Sequence, residues 1–414
     1  MPSTQVTYRY AATSTLRGED GQVSVGLAST GTGTFLDAYV ERADVVAAGL
    51  LLVGRVASTR FHDPTTATRL AELADPIITT GDGTVRFESL SACCGVAARL
   101  DLPADGVHVT TQTPGTTNVD LGPEMRRLLG GVLPHDPMRV RVADTGLAVT
   151  TLDGSAHERT VALPDRWVRS LADLQVLASR MSLRATLDQR QVRAFLRSLP
   201  PTTPPRSTFW AQPVGGGGLR LASRPVAGGV PLGGPERLRV LDAVLRHCRE
   251  VRVYAADGDG PGASWWEVAL PHARLGLGLS PETSRGFSGE GALLDGDDDP
   301  TADAALAVSG RLGYDLAEGR FFPRLLPVGR DLLGTHPRLA TATALVADGA
   351  VHPEGDHHVV RGRTRDYVVR LGSPADRCSC RWYVDHGGTR GPCAHVLAVR
   401  LLRDGAPPTG EETR

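Results

Sequence analysis

Four residues near the end of the chain have types and spacing that can do chemistry: Cys378 and Cys380, then Cys393 and His395 after twelve intervening residues. Alternate residues of an extended segment face the same side, so Cys378 and Cys380 can present two thiolates to one ion. Cys393 and His395 can do the same where a helix begins. Four nitrogen and sulfur donors in two close pairs suit tetrahedral zinc, and three thiolates with one imidazole is a common structural set. The expected site is closed, holds one structural zinc ion and contributes folding energy. His386, between the two pairs, is a fifth candidate and reads as a solvated loop residue.

The elements that must position these donors are short. His358 to Arg361 and Tyr367 to Leu371 alternate like strands, with a turn-prone stretch from Arg361 to Asp366, and Ala394 to Arg403 has helical apolar spacing. The order is strand, strand, ligands, helix. The segment Cys378-Ser379-Cys380-Arg381-Trp382-Tyr383, followed by Gly391-Pro392-Cys393-Ala394-His395-Val396-Leu397, resembles the SWIM-type zinc finger. All four ligand positions match, over a stretch from about Val359 to Arg403. The resemblance implies a ββα unit that binds DNA or protein and is not itself catalytic. The larger part of the chain is similar to bacterial SWIM-containing proteins of unassigned biochemistry. Some of these are encoded beside MoxR-type AAA ATPases and von Willebrand A-domain proteins, which implies those two as partners.

From Arg361 to Arg403 nine arginines stand against three acids, a balance of +6 that a zinc ion with three thiolates lowers to +5. Arg361, Arg363, Arg365, Arg377, Arg381 and Arg390 are the candidate contacts to nucleic acid or to a protein partner. Trp382 and Tyr383, lying among them, read as core of the small finger. The two expectations are an adaptor that binds proteins, foremost, and a DNA- or RNA-binding protein.

The whole chain of 414 residues carries a net charge of −1, so any polyanion partner must be argued from local charge. All 45 basic residues are arginine, since the sequence contains no lysine. That excludes the P-loop lysine, the pyridoxal Schiff base and the kinase strand lysine. An enzyme with its site in the body and the finger as targeting module is the third reading, although no catalytic constellation stands out. Met1 is followed by polar residues, with no pattern of a signal peptide. The longest apolar run, Val45 to Val53, is far shorter than a membrane span of about 20 residues. A cytoplasmic protein is expected, and three of six cysteines clustered near the end point to metal rather than disulfides.

The expected fold class is α+β: a multidomain mixed α/β body with a C-terminal ββα zinc finger. Composition divides the chain into a mixed α/β domain at 1–164, a helical segment at 165–198, and a Pro/Gly-rich linker at 199–234. A second α/β unit follows at 235–350, then the finger at 351–404 and a disordered tail at 405–414. Strands are expected at Val6–Tyr10, Val107–Thr111, Met138–Val142, Val251–Tyr254, Trp265–Leu270 and Arg274–Leu279. A hairpin should turn at Asp153-Gly154. Helices are expected at Pro64–Ala74, Pro123–Leu129, from Asp165, at Leu187–Ser198, Glu236–His247 and Pro337–Val346.

Other groups weigh toward structure. Cys93-Cys94, with His108 downstream, has the residue types of a nucleophile and base, but buried small hydrophobes are the better reading. The same holds for Cys248 beside His247. Asn118-Val119-Asp120 can satisfy turn or cap donors. The loop Arg285-Gly286-Phe287-Ser288-Gly289-Glu290-Gly291 matches neither a nucleophile elbow nor a dinucleotide loop. Asp295, Asp297, Asp298 and Asp299 fail as an EF-hand, because Pro300 and Leu306 stand where Gly and Glu are needed. His357-His358 lies near the finger, whose four ligands are already supplied.

Overall fold

A computed structural model describes residues 15–19, 22–26, 33–59, 76–161, 163–204, 207–258, 260–287, 312–324, 336–372, 375–387 and 390–403. The chain is a mixed α+β protein whose sheets are antiparallel, and it divides into two compact units. The first comprises 1–287 with 310–327; the second comprises 288–309 with 328–414. The expected strand Val6–Tyr10, helix Pro64–Ala74, acidic stretch Asp295–Asp303 and tail fall outside the described residues.

The first unit is built on an eight-stranded sheet. Its order is Met181–Asp188, Glu250–Ala256, Ser264–Leu270, Ala273–Leu279, Val96–Leu102, Thr84–Leu90, Ile77–Gly81, Gly115–Asn118. The join at its centre pairs Leu275 with Leu100 and Leu277 with Ala98. Strands on either side of the linker therefore share one hydrogen-bonded sheet, and the boundaries drawn from composition at 164 and 234 fall inside a single unit. A five-stranded sheet runs Gly154–Arg159, Gly146–Thr151, Arg139–Ala143, Thr34–Val40, Val107–Gln112. The expected hairpin is there, with Thr151 opposite Gly154. A further small sheet pairs Thr15–Glu19, Gln22–Gly26 and Leu163–Pro164.

The apolar run Val45 to Val53 lies within the helix Ala43–Ser58, which packs on Thr84–Leu90, Val96–Leu102 and the helix Pro123–Gly130. Apolar residues nearly all round a helix mean burial on more than one side, and only Leu51 and Arg55 interrupt its buried stretch from Ala43 to Ala57. Among the described residues no helix is long and apolar enough to cross a membrane.

Three local expectations are corrected. The segment expected to be helical at 165–198 is broken by the eight-residue strand Met181–Asp188, which forms one edge of the large sheet. The 199–234 stretch is not a loop-rich join: Thr208–Pro213, Leu219–Ala222 and Val230–Gly233 form a three-stranded sheet. Its glycines make the turn of a hairpin, with Gly216, Gly217 and Gly218 at positive φ, while Trp210, Ala211, Val230 and Leu232 are buried. The segment expected as an α-helix from Glu236 is a 3-10 helix, Pro235–Ala243. Its side chains still go where helical spacing sends them, since Leu238, Leu241, Val244 and Leu245 are buried. Arg237 is buried with them and donates to the carbonyls of Gly233, Gly95 and Ser280.

The second unit holds the helix Pro337–Ala347 and a four-stranded sheet, Val351–Glu354, His357–Arg361, Asp366–Arg370, Arg377–Cys378. Helices Arg381–His386 and Ala394–Arg403 complete it. The expected strand–strand–helix order is embedded in this larger unit. Its core is small: Ala342, Val351, Val360, Val369, Val396, Leu397, Ala398 and Val399, with three cysteines set among them.

Candidate metal centre

Cys378, Cys380, Cys393 and His395 converge, and their donor atoms all lie within 4.8 Å of one another. Each donor is fixed by the element that carries it. Cys378 ends the edge strand, paired with Val369. Cys380 is the N-cap of helix Arg381–His386, where its sulfur accepts the Tyr383 amide at 3.4 Å. Cys393 precedes the last helix, and its sulfur accepts the Val396 amide at 3.5 Å. The Cys380 amide points at the Cys378 sulfur at 3.4 Å. Three sulfurs each receiving a backbone N–H are arranged to carry negative charge. His395 turns Nδ1 toward the Cys378 sulfur at 3.8 Å, and its ring stacks on Tyr367 with centroids 4.1 Å apart.

These residues fit a tetrahedral ion. Bonds of about 2.3 Å to sulfur place neighbouring donors about 3.8 Å apart, wider than a disulfide and narrower than unrelated side chains. All three thiols are free and no more than 5% exposed. Among themselves they share protons unevenly. A hydrogen bond from Cys378, then one from Cys393, holds the Cys380 thiol far below the usual thiol range, while Cys378 is pushed up. Burial alone would lower the His395 imidazole, yet hydrogen bonding to Cys380 and Cys393 raises it to about 9. What points to a metal is the donor chemistry itself, three sulfurs and one imidazole nitrogen gathered within 4.8 Å in an apolar core. The donor set can hold a metal ion.

His386 is not a fifth donor and not a free loop residue. It sits in the last turn of helix Arg381–His386, edge-on to Trp382 at 4.6 Å and bonded to Arg390 at 2.8 Å. Arg390, expected as an outward contact, is thus turned inward over Trp382. Trp382 and Tyr383 are partly buried against the core of this unit. Arg338 was not singled out in the sequence. Its guanidinium donates to the carbonyls of Arg390 and Pro392 at 2.7 and 2.9 Å and lies over Trp382, so it clamps the turn that delivers Cys393. Arg338 and Cys393 are far apart in sequence, and no local pattern links them.

The remaining arginines separate by position. Arg381 pairs with Asp385 one turn on, and Arg365 lies over Tyr367. Arg361, Arg363 and Arg377 are exposed, as is Arg370, one of the nine arginines of this stretch but not of the six expected contacts. Arg370 and Arg377 stand directly opposite on neighbouring strands.

The other candidates do not assemble. Cys93 lies in a turn with Cys94, whose φ is +55° and whose thiol burial pushes up to about 11. His108 is on the five-stranded sheet, paired with Glu41. Burial likewise pushes Cys248 up to about 11. Asn118 is buried and donates to the Val161 carbonyl, tying two segments together rather than capping a turn. Of the Arg285–Gly291 loop, Phe287 is buried and its amide bonds the Cys94 carbonyl at 2.9 Å; the residues from Ser288 lie outside the described set. His357 pairs with Asp356 and Glu354.

No family model matches the chain, and no curated protein matches it. Among solved structures, the proliferating cellular nuclear antigen of Entamoeba histolytica is similar at 10% identity and a TM-score of 0.39. It covers 60% of this chain and 100% of its own. The PCNA2–PCNA3 complex of Sulfolobus tokodaii matches at 10% identity, 60% and 100% coverage, and a TM-score of 0.41. Neither value places this chain in their family.

Proposed function

We propose that the second unit is a SWIM-type zinc module and that the protein is a non-enzymatic adaptor that binds other macromolecules through it. The observation that carries this is the closure of the donor set. Four donors lie within 4.8 Å, with the cysteines buried in the unit's own core. A catalytic zinc keeps an open position, whereas four protein donors saturate a tetrahedral ion and leave it a structural task. The zinc then holds two helices and a strand end together, and recognition falls to the surface around them.

A protein partner is the leading reading. Val384, Leu402 and Val368 are exposed at 71%, 43% and 41%, apolar area of the kind that marks interaction sites when it is contiguous. The MoxR-type AAA ATPase and the von Willebrand A-domain protein named by the resemblance are the first to test. Nucleic acid is a second reading, favoured by one observation. Like charges directly opposite on adjacent strands are destabilising, yet Arg370 and Arg377 face each other at exposed positions of the sheet, with Asp356 near enough to Arg370 to offset part of its charge. An approaching phosphate relieves that repulsion.

One experiment divides these readings. Zinc-loaded protein is titrated with generic DNA and RNA at two salt concentrations, beside a truncation that removes residues 336–414. The cut precedes Pro337 because the helix it starts packs on Ala394–Arg403. Binding that weakens steeply with salt and vanishes on truncation selects nucleic acid. No binding at low salt selects the protein partner. Binding retained by the truncated chain contradicts both assignments to this unit.

A further inference from the structure

Two clefts in the first unit meet at one arginine. The first has a volume of about 160 Å³ and is walled by Ala47, Ala48 and Leu51 of helix Ala43–Ser58, by Leu129 and Val132, and by Ala243. Its lining is apolar apart from the buried Asp44 and the exposed Arg246. The second, about 260 Å³, is lined by Arg193, Arg197, Asp242, Leu245 and Arg246. Three guanidinium groups face one carboxylate there.

The basic cleft is built, not incidental. Gln189 and Arg193 both donate to the Leu245 carbonyl, at 2.6 and 3.5 Å, which pins helix Gln189–Ser198 to the turn carrying Arg246. Arg246 is aimed in its turn. Its Nε donates to His247 Nε2 at 2.8 Å, and His247 Nδ1 lies 3.7 Å from the buried Asp44 carboxylate. This spends Nε and leaves the terminal nitrogens of Arg246 for the cleft. Arg197 is exposed and makes no ion pair or hydrogen bond among the described residues. Converging guanidiniums with a local excess of positive charge are stabilised by an anion, and their planar forks match phosphate oxygens.

We propose that the joined cleft binds a small phosphate monoester, its phosphate among Arg193, Arg197 and Arg246 and its apolar body against Ala47, Leu51 and Leu129. Ligand pockets commonly measure about 300–1,000 Å³ and are mostly apolar, with a few placed polar groups. Each compartment alone is below that range, which suits a small ligand such as an aryl phosphate that spans from one to the other past Arg246. The site lies wholly in the first unit and does not depend on the metal module.

The test uses the full chain in phosphate-free buffer, titrated calorimetrically with inorganic phosphate, phenyl phosphate and adenosine monophosphate. Phenyl phosphate is expected to bind about tenfold more tightly than inorganic phosphate, because the ring enters the apolar cleft. Arg197→Ala and Arg246→Ala should each weaken both ligands by about tenfold. Ala243→Phe, at an exposed position, should fill the apolar cleft and remove the phenyl advantage while leaving inorganic phosphate binding intact. A thermal melt of each variant separates loss of binding from loss of fold. Millimolar phenyl phosphate without detectable heat of binding would overturn the proposal. So would binding that ignores both arginine substitutions, or an aryl ester that binds no better than phosphate alone.

Discussion

The two units use the same cation in opposite places. In the first, arginine is interior: Arg86, Arg99, Arg237 and Arg324 are all buried. Arg324 makes a two-pronged pair with Glu88 at 2.8 and 2.6 Å, and Arg86 lies 3.9 Å from the Phe322 ring while pairing with Asp82. In the second, the exposed strand positions carry arginine and the interior is apolar side chains and thiols. Size explains the contrast. The first unit buries a core from Phe35 to Leu279, large enough to absorb the cost of desolvated ion pairs. The second has a short list of aliphatic residues, and gathers among them four donors that could hold a metal ion.

Breaking the metal should therefore have the largest effect. A strong chelator is expected to abolish hydrogen-exchange protection across 336–403 and leave the eight-stranded sheet protected, since structural zinc contributes on the order of 10 kcal/mol. Uniform protection in both units after chelation would erase the contrast. Next comes the interior ion pair. Arg324→Met leaves Glu88 buried without its partner and should cost about 3–5 kcal/mol in urea unfolding of the first unit. Adding Glu88→Gln should return much of that loss, and no recovery in the double variant would argue against the pair.

A smaller effect is tied to pH. Burial raises the Glu267 carboxyl above its ordinary 4.5, against the pull of Arg274 and Arg99. A carboxyl raised on folding adds stability that is full below the unfolded value and is lost as pH rises through the folded one. Glu267→Gln should accordingly raise the urea midpoint at pH 8 and leave it nearly unchanged at pH 4. The reverse order would mean that its charge is stabilised in place. The smallest effect is expected at the arginine face. Arg377→Glu turns a like-charge pair with Arg370 into an opposite one and should add a few tenths of a kcal/mol to the second unit. It would also lower any nucleic-acid affinity.

What was legible in the sequence follows the range of the forces. The four donors could be read because each pair is local, its two members separated by a single residue. Most strands between Val107 and Leu279 were also legible, since period-two alternation is a local pattern. The join of Ala273–Leu279 to Val96–Leu102 was not, because a pairing across some 175 residues leaves no trace in either strand's own pattern. Composition misled at Gly215 to Gly218, where a glycine run that suggested flexibility is the turn of a hairpin. Nor did spacing distinguish Arg390, which faces inward over Trp382, from Arg377, which faces out. Arg338 and Arg246 stayed invisible for the same reason: their work depends on partners placed by the tertiary fold.

The central claim is one structural zinc held by Cys378, Cys380, Cys393 and His395. Native mass spectrometry of the purified chain beside Cys393→Ser and His395→Ala tests it most directly. The account predicts one zinc per wild-type chain, loss of the ion in both variants, and broadened charge states from an unfolded second unit. Zinc retained at full stoichiometry in both variants, or a wild-type chain compact and stable without metal, would contradict it.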